Sequence, residues 1–474
     1  MRILFCASEA YPFSKTGGLA DMASALPKII NQKGSFVEVI TPLYDQLYDK
    51  LYQFKYLGEK EILIQDAPYV AKYYQTIHDG VSYIFVEHEG FFKRSNYYGY
   101  YDDDKRFLFY DLAILAYIEL RKESYDLLHL NDWQTGLVPF LLDELYRTKP
   151  LFKNIKTLLT IHNLEYQGSF PKDAYRLINR PFNYAYIHFD RVNYLKAAIM
   201  RANHINTVSP TYMQEVQLDY YGFTLDGALK SRLNDFTGIL NGIDYDIYNP
   251  ETDPLIEKTF NYQHFTQAKK KNKMALLKKL NLDMSTDTAL VAYIGRLAKQ
   301  KGIDLMMATL EEAIAESTAK FVFIGSGDPV YENFFRHLQE KYRNRVYSFI
   351  GFNNTLAHQL YASADILMMP SQFEPCGLGQ LMAMRYGCLP LVRETGGLKD
   401  TVMPYNKYTK EGYGFSFANY NAHELKKVLL DAILLYSNEP DDWKVLVRNA
   451  MKQDHSLEQM GLSYLDLYEK ILKK

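Results

Sequence analysis

Apolar residues in this chain gather into short unbroken runs separated by longer stretches of helical periodicity. In the first half the runs are "RILFCAS", "FVEVITPLY", "VSYIFVEH", "DLLHLND", "KTLLTIHN" and "HINTVSP". Few of them alternate apolar and polar positions, so they predict strands covered on both faces, as in a parallel sheet. "ALVAYIGRL", "KFVFIGSG", "RVYSFIG", "DILMMPS" and "LPLVRE" restart the pattern in the second half. Gly302–Ser317 and Asn354–Ser363 read as helices between them. Leu19–Ile30 also reads as a helix, with Pro27 expected to interrupt it.

This order predicts an α/β protein with two Rossmann-like domains, residues 1–245 and 246–455, facing each other so that a ligand is trapped between their strand ends. The polar stretch "NGIDYDIYNPETDPLIEK" (Asn241–Lys258) is too rich in turn formers for a core element and is read as the hinge. Residues 456–474 form a closing amphipathic helix that the pattern alone assigns to neither domain. Polar residues follow the strand-like runs: Ser8 and Glu9, Asn131 and Asp132, His162 and Asn163, and Ser209. In an open α/β sheet the ligand crevice lies beyond the carboxyl ends of the strands.

Composition narrows the function classes. With 474 residues, 47% of them hydrophobic, the chain can build more than one core. A formal net charge of -2 gives no field for nucleic acid or an anionic membrane. The lack of an apolar run of about 18 residues argues against a membrane span. The N-terminus makes a poor signal peptide, so a cytoplasmic protein is expected. Cys6, Cys376 and Cys388 suggest no disulfide framework and form no CxxC pair.

Three glycine turns follow strand-like runs: "GGLADM", "IGSGDP" and "ETGGLKD". None matches GxGxxG, and no GxxxxGK[ST] is present, which speaks against a dinucleotide enzyme or a P-loop ATPase. "KTGGLADM" offers Lys15, a Gly17–Gly18 pair and a helix start. It fits a loop for a phosphorylated ligand or a tight strand–helix turn bearing a surface lysine. "GRLAKQKG" puts Arg296 and Lys301 beside another helix start, as a diphosphate clamp or a solvated basic turn. In "SQFEPCGLGQLMAM", Glu374 faces a sugar hydroxyl or caps a helix, and Cys376 reads as a packing residue. His129, Asp132 and His162 lack the spacing of a zinc triad. No metal is expected. His204 reads as a core histidine.

Assembled, "KTGGLADM", "HLNDWQTG", "IHNLEYQG", "NGID", "GRLAKQKG", "FEPCGLGQ" and "ETGGLKDTV" closely resemble the bacterial glycogen synthases and plant starch synthases over nearly the whole chain. These are retaining glycosyltransferases that use ADP-glucose. The resemblance implies a GT-B fold with a deep cleft, the final helix returning to the N-terminal domain. The N-terminal domain would take the glucan acceptor and the second domain the nucleotide sugar. Lys15 with Gly17 and Gly18 would contact donor phosphate, and Arg296 and Lys301 would hold the diphosphate. Asp132 and His162 would lie near the transferred glucose and Glu374 would hold it. Asn241 and Asp21 would lie near sugar and phosphate, Phe352 against adenine, and the backbone of Gly377, Leu378 and Gly379 against sugar or phosphate oxygens. ADP-glucose and an α-1,4-glucan are the implied partners, with no cofactor.

Three departures stand out. Asn131 replaces a histidine common in relatives, and Gly379 a threonine. Met382 replaces the second glutamate of the broader E-x7-E pattern, an absence the synthases share. Rival readings are a UDP-glucose-using synthase, a phosphorylase-like enzyme with lysine-bound pyridoxal phosphate, and a non-catalytic glucan-binding protein.

Overall fold

The computed structural model describes residues 1–180 and 182–474. They fold as two compact units. One comprises Met1–Val208, Met213–Ile239 and Leu457–Lys474, the other Ser209–Tyr212 and Leu240–Ser456.

The first unit is built on nine strands: β1 (Arg2–Cys6), β2 (Phe36–Pro42), β3 (Lys55–Ile64), β4 (Ala67–His78), β5 (Val81–Glu87), β6 (Leu127–Asn131), β7 (Lys156–Ile161) and, further on, the two strands His204–Thr207 and Phe236–Gly238. Between β7 and His204–Thr207 lie β8 (Ser169–Pro171), β9 (Ile187–His188) and β10 (Arg191–Asn193), a separate three-stranded antiparallel sheet. His204–Thr207 is therefore β11 and Phe236–Gly238 β12, and the large sheet runs β12-β11-β7-β6-β1-β2-β5-β4-β3. From β12 to β5 every pairing is parallel. The chain leaves β1 first toward β2 and later returns on its other side with β6, so the order reverses at β1/β6, where ligands bind in such sheets.

The antiparallel edge departs from the all-parallel expectation. β3 pairs with β4 and β4 with β5 through two tight turns, Gln65–Asp66 and Asp79–Gly80, all four residues at positive φ. Positive φ at both central positions is the geometry of a type I′ hairpin. Asp-Gly is a recognisable sequence signal for it; Gln-Asp is not.

The second unit carries β13 (Leu290–Ile294), β14 (Lys320–Gly325), β15 (Val346–Ile350), β16 (Ile366–Met369), β17 (Leu389–Arg393) and β18 (Phe415–Phe417), in the order β15-β14-β13-β16-β17-β18, all parallel. Its order reverses at β13/β16. Both units are thus Rossmann-type, each with its own core.

Two sequence expectations need correction. The helix after Gly17 runs Gly18–Gln32 straight through Pro27. Pro27 costs the helix a hydrogen bond, but it lies on the buried face with Leu19, Met22, Ala23, Leu26 and Ile30, and burial of that stripe outweighs the loss. The stretch 241–258 is not merely a hinge. Ile243 and Ile256 enter the second core. Asp253 is buried there, accepting hydrogen bonds from His358 Nδ1 (2.7 Å) and the Tyr386 hydroxyl (2.5 Å). Its turn formers shape the backbone, while its few apolar and acidic side chains dock it.

The helix Leu457–Leu472 packs on Gly18–Gln32. Its Tyr468 hydroxyl lies 2.7 Å from His129 Nδ1, whose Nε2 lies 2.6 Å from Thr160 Oγ1, and its Tyr464 hydroxyl accepts from Asn206 Nδ2 at 3.0 Å. Burial holds the His129 pKa well below its ordinary value, so it is a neutral structural histidine. At Gly461 a Cβ would stand 2.3 Å from Ile29 Cγ2, an atom fixed close to its backbone. Gly461→Ala is therefore expected to destabilise the first unit by about 1–3 kcal/mol through overpacking. Urea unfolding checks this, and an unchanged midpoint contradicts it. Among the described residues no helix is long and apolar enough to cross a membrane.

Candidate active site

In the first unit the candidate residues gather at the β1/β6 switch point. β6 ends at Asn131, and Asp132 follows with φ 55 and ψ -170. That region is nearly restricted to glycine, and holding a side-chain-bearing residue there costs on the order of 1–3 kcal/mol. The surroundings impose it: Asp132 N–H donates to Thr160 O (2.9 Å) while Asp132 Oδ1 accepts the His162 N–H (2.7 Å). His162 Nε2–H donates to Asn131 Oδ1 at 2.9 Å, and Asn131 Nδ2 to Cys6 O at 3.0 Å. The asparagine at 131 thus fixes the His162 ring and its tautomer, leaving Nδ1 as the acceptor. Burial lowers the His162 pKa to about 4, so the ring is neutral at pH 7.

Burial pushes the Asp132 carboxyl up to about 7, with the Glu9 charge adding to it and the backbone N–H groups of His162 and Asn163 opposing it. The folded chain therefore keeps this proton between about pH 4 and 7, where the unfolded chain has shed it. Stability is lost as pH rises through that window. Asp132→Asn removes the titration, so its stability advantage over the parent should widen by roughly 2–3 kcal/mol between pH 5 and pH 8. Parallel urea-stability profiles over that range contradict this.

Lys15, Thr16, Gly17 and Gly18 are all exposed. Gly17 has φ -150, Gly18 is not at positive φ, and a Cβ on either would meet nothing within 4 Å. The turn therefore does not require glycine for its own shape. What two bare glycines at a helix start provide is room for another molecule to reach the backbone. Lys15 Nζ bonds Asp21 Oδ1 at 2.6 Å, so Asp21 on the first turn neutralises the cation.

In the second unit the candidates cluster at the β13/β16 switch point. Gly302, at φ 75, is a glycine by necessity: a Cβ there would lie 2.0 Å from Pro370 O. That close approach brings Lys301 beside the loop after β16. Lys301 Nζ bonds both Glu374 oxygens, at 2.9 and 2.7 Å, and Ser371 Oγ donates to Glu374 Oε2 at 2.9 Å. Arg393 Nε holds the loop through Ser371 O at 2.8 Å. Gly396, at φ 44, lets the next turn pack where a Cβ would fall 2.0 Å from Glu374 O. Glu374 is not a helix cap: the helix Gly379–Arg385 is preceded by Leu378 with no side-chain cap. Arg296 is exposed, its guanidinium donating to Gln300 Oε1 at 3.3 Å.

Lys15, exposed, and Lys301, partly buried, each carry a carboxylate partner, Asp21 and Glu374.

Gly377 turns the chain at φ 74 and, with Leu378 and Gly379, is partly exposed. A Cβ on Gly379 would make only ordinary contacts with Met369 at 3.5 Å, so glycine in place of threonine there costs the loop no space. Asn241 Oδ1 is buried and accepts no hydrogen bond among the described residues. Phe352 is 87% exposed beyond β15. Cys376 is buried, its thiol pushed up to about 12 by burial, which leaves it inert. His204 is buried with Nε2 2.8 Å from Thr237 Oγ1. Among the described residues no group of three or more His, Cys, Asp or Glu side chains is arranged to hold a metal ion. Sequence reasoning quoted the runs holding Ser371 and Arg393 but singled out neither, and it missed the strain at Asp132, which no residue type announces.

Residues 2–231 match the family model described as starch synthase catalytic domain, and residues 278–450 the one described as glycosyl transferases group 1. The chain is 52% identical, over all of its length and 99% of the relative's, to a glycogen synthase of Acholeplasma laidlawii. It is 42% identical, over all of its length and 98% of the relative's, to a glycogen synthase of Anoxybacillus flavithermus. Among solved structures it matches the catalytic domain of starch synthase IV from Arabidopsis thaliana bound to ADP and acarbose, with TM-score 0.90, 33% identity, and coverage of 100% of this chain and 99% of that one. A sucrose-phosphate synthase from Thermosynechococcus elongatus, at TM-score 0.63 and 18% identity over 99% of each chain, shares the fold.

Proposed function

Because the chain belongs to the glycogen synthase and starch synthase family of GT-B glycosyltransferases, we propose that it transfers glucose from ADP-glucose to the 4-hydroxyl at the non-reducing end of an α-1,4-glucan, with retention of configuration and release of ADP. The observation that carries this is a match spanning the entire chain at 52% identity, in a molecule whose strand-end residues at both switch points are of the types this chemistry uses.

Transfer breaks the bond from glucose C1 to the diphosphate oxygen and forms one from C1 to the acceptor oxygen. The proton of the acceptor hydroxyl passes to the departing diphosphate, on the face from which it leaves. Negative charge grows on that diphosphate, so cations preorganised against it lower the barrier. Arg296 and Lys301 take that role, and Lys15 contacts the phosphates from its glycine loop. Glu374 holds Lys301 and meets the glucose. Asp132 and neutral His162 meet the sugar hydroxyls, His162 through its free Nδ1. Asn241 Oδ1 is an acceptor for a sugar hydroxyl, Asp21 sets the Lys15 ammonium, and Gly377, Leu378 and Gly379 offer backbone to sugar or phosphate oxygens. The first unit takes the acceptor and the second the nucleotide sugar, with Lys15, Asp132 and His162 reaching the donor from the first.

Phe352, exposed as it is, presents a ring to the base, and a purine gives it more area to stack on than a pyrimidine. A higher kcat/KM for ADP-glucose than for UDP-glucose is the expected result with glycogen as acceptor. The reverse preference overturns the donor assignment. Glucose 1-phosphate formed from glycogen and inorganic phosphate, or binding of glycogen with no nucleotide released from either donor, overturns the activity.

A further inference from the structure

We propose that Glu9 is a positioning residue that holds the Lys15–Gly18 loop in its donor-binding shape by clamping Thr16. The proposal rests on the reading of that loop as a phosphate-contacting element.

Glu9 follows β1 at the switch point and is only 4% exposed. Burying a carboxylate is costly unless hydrogen bonds compensate, and among the described residues no lysine, arginine or histidine pairs with it in an ion pair. Instead it is solvated by neutral donors. Glu9 Oε2 accepts the backbone N–H of Thr16, and Oε1 accepts the Thr16 hydroxyl at 2.5 Å. Oε1 also accepts the Tyr98 hydroxyl at 2.7 Å, which in turn lies 2.8 Å from Ser8 Oγ. Tyr98 braces the carboxylate from a separate part of the fold; Thr16 is what the carboxylate grips.

The grip falls beside two glycines that have no packing of their own. Thr16 stands between Lys15 and the two glycines, and all four residues are exposed. Neither glycine has a side chain to pack, and the surroundings offer nothing for one to touch. Lys15 is held separately, by Asp21 at 2.6 Å and over the Tyr11 ring, whereas backbone with no side-chain packing, as at the two glycines, opens easily. Fixing Thr16 through both its N–H and its hydroxyl sets the direction of Lys15 on one side and of Gly17 on the other. An ordinary surface loop would gain little from a buried, counterion-free carboxylate. Glu9 also lies close enough to Asp132 for its charge to act on that carboxyl, so the clamp stands within the candidate site.

The test uses the full chain and two variants, Glu9→Gln and Thr16→Val. Glutamine keeps one acceptor but cannot serve both Thr16 and Tyr98 with carboxylate strength. Valine keeps the Thr16 N–H and removes only its hydroxyl. Amide hydrogen exchange of residues 11–20, donor KM, kcat and thermal midpoint are measured on each. Glu9→Gln is expected to speed exchange in this segment at least tenfold and to raise donor KM at least tenfold, with a smaller change in kcat. Thr16→Val should shift both in the same direction by a smaller factor. The double variant should be no worse than Glu9→Gln alone, since both act through one contact. Unchanged exchange and donor KM in folded Glu9→Gln overturn the proposal, as does a lowered thermal midpoint with parental KM. Should Glu9→Gln not fold, unchanged loop exchange in Thr16→Val overturns it alone. Faster loop exchange in the variants of a chain that turns over no nucleotide sugar supports the clamp and overturns the enzymatic reading instead.

Discussion

Glu374→Gln will slow glucosyl transfer by roughly 100-fold, a barrier increase of about 3 kcal/mol, while the protein stays folded. The carboxylate is 6% exposed, bonded to Lys301 through both oxygens and to the Ser371 hydroxyl. Glutamine keeps the shape and one acceptor oxygen, but its amide group turns a donor toward an ammonium that already has three. Lys301 then lacks a fixed partner and samples other rotamers, so it no longer stands ready for the diphosphate. The negative charge that would support a positively polarised sugar in the transition state is also gone. Interactions made mainly in the transition state appear in kcat more than in donor affinity. Breaking an ion pair between a buried and a half-buried group should cost stability too. The Lys301 side chain retains 21% exposure, so water compensates part of the loss and about 1–2 kcal/mol is expected. Single-turnover transfer, donor binding and the thermal midpoint on the same preparation separate the two effects. Near-parental transfer with a large fall in the midpoint would reduce Glu374 to a structural residue.

Arg296→Ala should reduce kcat by roughly 100- to 1000-fold, the range for losing one preorganised charge-stabilising donor, without moving the thermal midpoint. The contrast with Glu374 is structural. The guanidinium is exposed, and its contact with Gln300 is 3.3 Å long, so the fold owes it little. Its whole contribution is then made to whatever anion it meets. Arg296→Lys keeps the charge but not the planar fork of donors, and a partial recovery is expected. An alanine variant with parental kcat would remove Arg296 from the diphosphate site.

The architecture was legible because its strands are buried on both faces. Unbroken runs such as Leu127–Asn131 and Leu290–Ile294 have no solvent face to encode, and that signature survives in the sequence. What was not legible depends on particular neighbours. Pro27 lies within a helix because its ring fits the buried stripe, which only the packed structure reveals. The β3–β4 hairpin turns on Gln65–Asp66, a pair without the usual glycine, though Asp79–Gly80 beside it was readable. The motifs singled out Lys15, Asp132, His162, Arg296, Lys301 and Glu374 by residue type. They could not tell that two of the cations carry carboxylate partners, since Lys301 and Glu374 are joined only by the fold. Nor could they show that Asp132 is held in a glycine-like backbone conformation. Gly17 and Gly18 show the converse: their identity was plain, but only the open space around them tells that the fold does not demand it.

The most direct measurement is the fate of the glucosyl group when the protein is given ADP-glucose and a defined maltooligosaccharide. Proton NMR of the reaction follows the donor, the new linkage and its anomeric form together. The account predicts one ADP released for each glucose added at the non-reducing end, every new linkage α-1,4. Release of ADP with free glucose and no lengthened chain, or a new linkage of β configuration, would contradict it.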